Sequence, residues 1–292
     1  MPIKYLEDSP SHYWKSHRAY RNNFYQCSHL CDIGQENFQR KVVEVLQKMD
    51  SLKILGIGSG KGELDCVNIR RMLTHFSHID NTVVEPSIEA IQAYKSLISQ
   101  RSPEHVTSLW HKETFQQYWR RRQSIGATNK FHFISAVHSL YYADKDGKSL
   151  GYLIDLLEKD GVMFIVIQNE NSGLINLFSE FAEYFRHHPN NPSKLHTTSK
   201  VLKYLNEDGR VAHEVIRGRH QIDITSCFES ESSEGSLTLD FLTNVIDFKS
   251  TVSSDILQLF LNYMKTPNCS EILSDGRIIF QEKWDAVIVR RK

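Results

Sequence analysis

Gly58-Ser59-Gly60-Lys61-Gly62 and Glu85 are the residues whose types and spacing point to chemistry in this sequence. The glycines follow the apolar run Leu52-Lys53-Ile54-Leu55-Gly56-Ile57 and precede a helical pattern from about Glu63 to Phe76. A strand that ends in glycines and opens a helix gathers backbone N–H groups and the positive end of a helix dipole at one point, which suits an anionic or zwitterionic ligand. The spacing narrows the choice. The run is GxGxG, whereas the dinucleotide fingerprint GxGxxG requires a glycine at position 63, where Glu63 stands, so a pyrophosphate is disfavoured. No Gly-Lys-Ser/Thr follows the strand, which also disfavours a nucleotide triphosphate loop.

Glu85 closes the next predicted strand, 82–85, about twenty residues beyond the last glycine. Adjacent strand ends lie side by side in a doubly wound sheet, so a carboxylate there can accept hydrogen bonds from both hydroxyls of a ribose bound over the glycines. An adenosyl group without a diphosphate fits this pair, and S-adenosylmethionine is such a molecule. The plainer alternative is a tight turn at 58–62 with Glu85 capping the helix that begins at Pro86-Ser87; the agreement of turn, spacing and downstream acid favours the cofactor.

These residues need a scaffold that sets strand ends next to one another, and the flanking pattern supplies one. Strands at 52–57, 82–85, 106–110, 131–137 and 161–168 alternate with helices at 63–76, 86–98, 112–124 and 147–158, which predicts an α/β fold with a mostly parallel sheet and helices on both faces. The strand Phe131–Val137 is expected beside the first, across the switch point where such sheets bind ligands, which places His138 toward the cofactor and the group acted upon. Beyond Gln168 the order loosens: helices at 173–186, 197–207, 237–247 and 253–264, strands at 212–226 and 277–290, and an acidic, flexible loop at 228–235. We divide the chain into a helical cap over 1–50, a cofactor core over 51–170, and a remainder over 171–292 that completes the sheet and carries an inserted subdomain.

With 292 residues, 40% of them hydrophobic, the chain can bury a full core. Lys plus Arg equals Asp plus Glu at 35 each, so no net field draws nucleic acid or an anionic membrane, and a small-molecule partner is expected. Arg120-Arg121-Arg122 then reads as a solvated helix face. Val162–Ile167, the longest apolar run, is too short to span a bilayer and the first residues carry no apolar leader, so we expect a cytoplasmic protein, with a monomer as the default. Five scattered cysteines read as reduced thiols. Cys27-x-His29-x-Cys31 lacks a second ligand pair for zinc and Asp144-Lys145-Asp146-Gly147 lacks the glutamate of a calcium loop, so no metal is expected.

Ile54–Glu63, Val83-Val84-Glu85-Pro86-Ser87, Trp110-His111-Lys112-Glu113-Thr114, Leu140-Tyr141-Tyr142 and Asp240-Phe241-Leu242-Thr243 together resemble the histamine N-methyltransferase family. The resemblance implies a class I methyltransferase fold, Rossmann-like and seven-stranded, with a small helical and antiparallel substrate-binding subdomain. It also implies methyl transfer from S-adenosylmethionine to the imidazole nitrogen remote from the side chain. Carried over by position, Gly58, Gly60, Gly62 and Glu85 are cofactor-binding, as are Ala90, Phe115 and Val137. Ala90 and Phe115 stand where the family has glutamine and serine.

On the acceptor side the resemblance implies Cys31, where the family has a glutamate that pairs with the ammonium of histamine, and Glu282, where it has an asparagine. Leu174 and Phe178 replace tryptophans, and His138 replaces a glutamine. Tyr13, Tyr142, Phe178 and Phe241 serve as aromatic walls that also favour a cation. Because a neutral imidazole already offers a lone pair near pH 7, the residues position the reactants and none is expected to act as acid or base. Histamine itself, another small amine or imidazole dipeptide such as carnosine, and a non-catalytic interaction role remain as readings.

Overall fold

The computed structural model describes residues 3–27, 35–47, 51–101, 104–143, 148–184 and 197–292, organised as two compact units. The larger comprises His29–Gln168, Lys194–Gly218 and Asp285–Lys292; the smaller comprises Met1–Ser28, Asn169–Ser193 and Arg219–Trp284. Strands in chain order are β1 (Phe24–Cys27), β2 (Leu52–Ile57), β3 (Ile79–Val84), β4 (Val106–His111), β5 (Phe131–Val137), β6 (Leu157–Gln168), β7 (Val211–Asp223), β8 (Ser270–Ile272) and β9 (Ile278–Arg291).

The larger unit holds whole the five strands that the alternation predicts, β2 to β6, and the 211–218 and 285–291 parts of β7 and β9; the strand order is β7–β9–β6–β5–β2–β3–β4. β2 pairs in parallel with both β3 and β5, and β3–β4 and β5–β6 are also parallel. Strand order reverses between β2 and β5, which puts the switch point at their carboxyl ends. Helices Glu63–Met72, Ile88–Arg101, Phe115–Ser124 and Ser149–Leu156 come after β2, β3, β4 and β5 in turn. Strands covered on both faces carry near-continuous apolar runs, and accordingly Leu55, Ile57, Ile134, Ala136, Ile165 and Ile167 are all buried in one cluster.

Several boundaries differ from expectation for local reasons. β3 begins at Ile79, three residues early, because its start is polar: Asn81 is buried and bonds Tyr94 Oη and Ser108 Oγ at 3.4 Å each. β6 begins at Leu157, with Asp160 at φ 62° absorbing the irregularity where a helix was expected to end. Arg122 is not solvated: it is buried beside the Tyr118 and Phe131 rings and donates to Asn129 Oδ1 at 3.0 Å. Arg121 is held by Glu113 at 2.7 Å.

In the smaller unit the order is β1–β7–β9, with β8 on β9. β1 pairs antiparallel with β7 and β8 antiparallel with β9. Neither short strand was expected. The helix Pro10–Asn22 packs on Ser233–Thr243. The latter corrects the acidic loop at 228–235: Ser232 Oγ accepts from Gly235 N at 3.0 Å and caps a helix that starts there and stops at Thr243. Cys66, Cys227 and Cys269 are free and buried, and burial pushes each thiol up to about 12. Cys31, His29 and 144–147 lie outside the described residues.

The motif Asp240-Phe241-Leu242-Thr243 has a mechanical reason. Asp240 is 2% exposed, and its oxygens accept from Phe248 N at 2.9 Å, Asp247 N at 3.0 Å and His12 Nε2 at 2.8 Å. It ties the end of one helix to the start of the next and to Pro10–Asn22. Replacing Asp240 by alanine leaves these buried donors unpaired and should lower unfolding free energy by about 3 kcal/mol, measured by urea denaturation.

Candidate active site

The glycine loop is shaped by backbone that other residues avoid: Gly58, Gly60 and Gly62 have φ of 60°, 55° and 75°. The parallel register aligns Ile57 with Val84, so β2 and β3 end level. Gly58 N then donates to Val84 O at 2.8 Å, and Gly60 N donates to Glu85 Oε2 at 2.9 Å. Glu85 Oε1 accepts from Ser87 N at 2.9 Å. The acid is thus a brace between the loop and the start of the next helix. It is only 7% exposed, and burial raises its pKa against the lowering effect of those two N–H bonds. Each carboxylate oxygen still has a lone pair for a further donor.

From the other side of β2 comes the segment after β5. A Cβ on Gly58 would stand 2.6 Å from Ser139 Cβ, so the Val137–Ser139 turn lies directly on the loop. His138 has φ 49°, an uncommon conformation for a side-chain-bearing residue, fixed by His138 N donating to Val166 O at 2.9 Å. Its Nδ1 lies 3.4 Å from Tyr141 Oη, which accepts from Gln168 N at 2.6 Å. Val137 is half-buried at the end of β5. Ala90 is fully buried, with its N–H on Ser87 Oγ at 3.2 Å. Phe115 is buried in the core beside Ile57 and Val84, at the start of a helix capped by Thr114 and Gln117. Tyr142 lies in the helix Leu140–Ala143, and its side chain is outside the described set.

The smaller unit holds Glu282, Tyr13, Leu174, Phe178 and Phe241 of the predicted residues. Glu282, 8% exposed, accepts from Tyr20 Oη, and His220 Nδ1 lies 3.4 Å from the same Oε2. Phe24 and Trp284 flank His220 with ring centroids at 4.9 and 5.5 Å. Phe241 lies 4.5 Å from the Tyr20 ring and 6.0 Å from Tyr13. Phe178 is buried in the cluster that holds Tyr20, with Leu174 packed against it. The sequence reading missed Tyr20 and His220. The first had a signal: Tyr13, His17 and Tyr20 share one helix face by spacing. His220 had none, because its partner Glu282 is distant in sequence and only pairing within the sheet juxtaposes them.

The profile of the methyltransferase domain family matches residues 30–225. The chain belongs to this family. It is 28% identical over 294 residues to histamine N-methyltransferase of Danio rerio, covering 99% of this chain and 98% of that protein. Against the enzyme of the same name from Bos taurus it is 27% identical over 286 residues, with 96% and 95% covered. Among solved structures it is similar to the YcgJ protein of Bacillus subtilis, at TM-score 0.53, 13% identity and coverage of 86% of this chain and 97% of that one. The plantazolicin methyltransferase BpumL, solved with a monoazolic desmethylPZN analog and SAH, matches at TM-score 0.51, 14% identity and coverage of 98% and 92%.

The fold is therefore that of class I methyltransferases, and the cofactor of this class is S-adenosylmethionine. The residues present fit it: positive-φ glycines leave the loop's backbone approachable, and a buried acid beside them retains acceptor capacity. The loop's tolerance is narrow. A methyl on Gly62 would lie 2.1 Å from the ring of the buried Tyr94, at a φ that side chains disfavour. Gly62→Ala should cost about 1–2 kcal/mol in backbone strain and about 1–3 kcal/mol in overpacking, read as a lowered urea midpoint.

Proposed function

We propose that this methyltransferase transfers the methyl group of S-adenosylmethionine to a ring nitrogen of a small imidazole amine of the histamine type. The observation that carries the cofactor half is the Gly60–Glu85 bond, which fixes a buried carboxylate beside the glycine loop. The acceptor half rests on similarity to histamine N-methyltransferases and on the Glu282 carboxylate, buried among aromatic rings.

When bound, S-adenosylmethionine would supply an electrophilic methyl, its S–CH3 bond breaking as the N–CH3 bond forms and its sulfonium becoming a thioether. For this displacement the chain contributes orientation and exclusion of water. Glu85 would hold the ribose hydroxyls on the lone pairs left free by Gly60 and Ser87. The turn at Val137–His138 lines the same strand ends. An imidazole, with an ordinary pKa near 6.5, presents its lone pair unaided, and the proton of the methylated ring leaves to solvent. Glu282 holds the ammonium, with Tyr20 and His220 orienting the carboxylate and Tyr13, Phe178 and Phe241 favouring a cation. Cys31, an uncharged thiol in the position of the family's glutamate, leaves that charge to Glu282.

Calorimetry with S-adenosylmethionine should show at least about tenfold weaker binding for Glu85→Ala, since one charge-assisted hydrogen bond contributes about 1.5–3 kcal/mol. Binding indifferent to that substitution counts against the cofactor site. In a methyl-transfer assay across histamine, carnosine and non-imidazole amines, Glu282→Gln should raise the acceptor KM about tenfold, equivalent to about 1.4 kcal/mol, while cofactor affinity stays unchanged. Turnover of non-imidazole amines alone would overturn the imidazole assignment.

A further inference from the structure

Beneath the glycine loop of the larger unit lies a carboxyl that the proposed chemistry does not use. Asp65 stands in the first turn of the helix Glu63–Met72. Its Oδ2 is shut off from solvent and makes no hydrogen bond of ordinary geometry, and the same holds for Ser59 Oγ, while the hydroxyls of Ser59 and Tyr94 stand close to the carboxyl. Both atoms lie against Gly56, where a methyl group would stand 2.3 Å from Ser59 Oγ and 2.8 Å from Asp65 Oδ2. Ser59 is the residue between the two positive-φ glycines Gly58 and Gly60. The other carboxyl oxygen, Oδ1, accepts from Ser135 Oγ of β5 at 3.1 Å.

A cavity of about 10 Å³ adjoins the carboxyl, and its polar lining besides Asp65 is Asn68, Asn81 and Ser135. Asn68 is 2% exposed and its Nδ2 has no partner. The groups that face Asp65 are the Ser59 hydroxyl from the loop, Tyr94 from the helix Ile88–Arg101, Asn81 from β3, Ser135 from β5, and Asn68 and Cys66 on its own helix. Among the described residues, no lysine, arginine or histidine belongs to this set. Burial raises the carboxyl's pKa, outweighing the hydroxyls of Ser59, Ser135 and Tyr94, which lower it. The helix N-terminus favours a negative charge, but by less than burying an unpaired ion costs.

We propose that Asp65 is a positioning residue which, as the neutral acid, donates its O–H to Ser59 Oγ and so pins the cofactor loop between β2 and the helix that follows. The inference rests on reading 58–62 as the S-adenosylmethionine loop. Asparagine reproduces the neutral acid, with an N–H for Ser59 and a carbonyl for Ser135, whereas leucine fills the space without either bond. A folded-state pKa above the ordinary 3.8 means that the folded protein binds more protons than the unfolded chain. Stability from this group is therefore full at low pH and is lost as pH rises through the interval between the two values.

The test combines calorimetry with S-adenosylmethionine and melting temperature against pH, for wild type, Asp65→Asn and Asp65→Leu. The expected results are cofactor affinity within about threefold of wild type for Asp65→Asn, at least about tenfold weaker for Asp65→Leu, and a melting-temperature advantage of Asp65→Asn over wild type that grows from pH 4 toward pH 8. If wild type binds while Asp65→Asn is as weak as Asp65→Leu, or the melting difference does not change with pH, the inference is overturned. No binding to wild type overturns the cofactor reading instead, and the melting curves still report the protonation of Asp65.

Discussion

The level ending of β2 and β3 is the constraint on which the rest of the larger unit depends. Because Ile57 and Val84 are register partners, the chain leaves both strands at one height. Gly58 N then meets Val84 O, and Gly60 N meets the next side chain, Glu85. A shift of one residue in a parallel pair would turn Glu85 to the opposite face and break the brace. The long apolar strands of the core fix that register by burying Leu55, Ile57 and Val84 together. The site's geometry thus inherits its precision from packing that never touches a ligand.

Strain gathers at the same strand ends. The three loop glycines and His138 all have positive φ, and His138 is held there by a bond from its N–H to β6. Such conformations persist only where neighbouring contacts over-determine them. Ser139 against Gly58 and Tyr94 against Gly62 are contacts that do so. The same contacts leave the loop room for few side chains.

How much of this was legible follows from the range of the forces involved. The βα alternation, the seven strands and the pairing of 58–62 with Glu85 were readable, because apolar runs and glycine spacing are local signals. β1 and β8 were not, since each is too short to show a period and exists only through pairing with a long strand. The polar start of β3 concealed its first three residues, because Asn81 is satisfied by Tyr94 and Ser108 from other elements. Arg122 broke the expectation of a solvated basic face for the same reason: a partner seven residues on, at Asn129, makes burial possible. Asp65 gave no signal at all, as its environment is assembled from four separate elements.

The two halves of the proposed reaction are held in different ways, and this bears on what sequence change can alter. The glycine loop presents backbone N–H groups, and Ala90 is placed through its own N–H on Ser87. Alanine at 90 and phenylalanine at 115 are compatible with that backbone framework. The proposed acceptor contacts are side chains instead: Glu282 with Tyr20 and His220, and the rings of Tyr13 and Phe241. A carboxylate that already accepts from a phenol and sits beside an imidazole has its rotamer fixed before an ammonium arrives, which lowers the entropy lost on binding. In the proposed reaction Glu282 supplies the charge that pairs with the ammonium, so the acceptor half depends on side chains where the cofactor half depends on backbone.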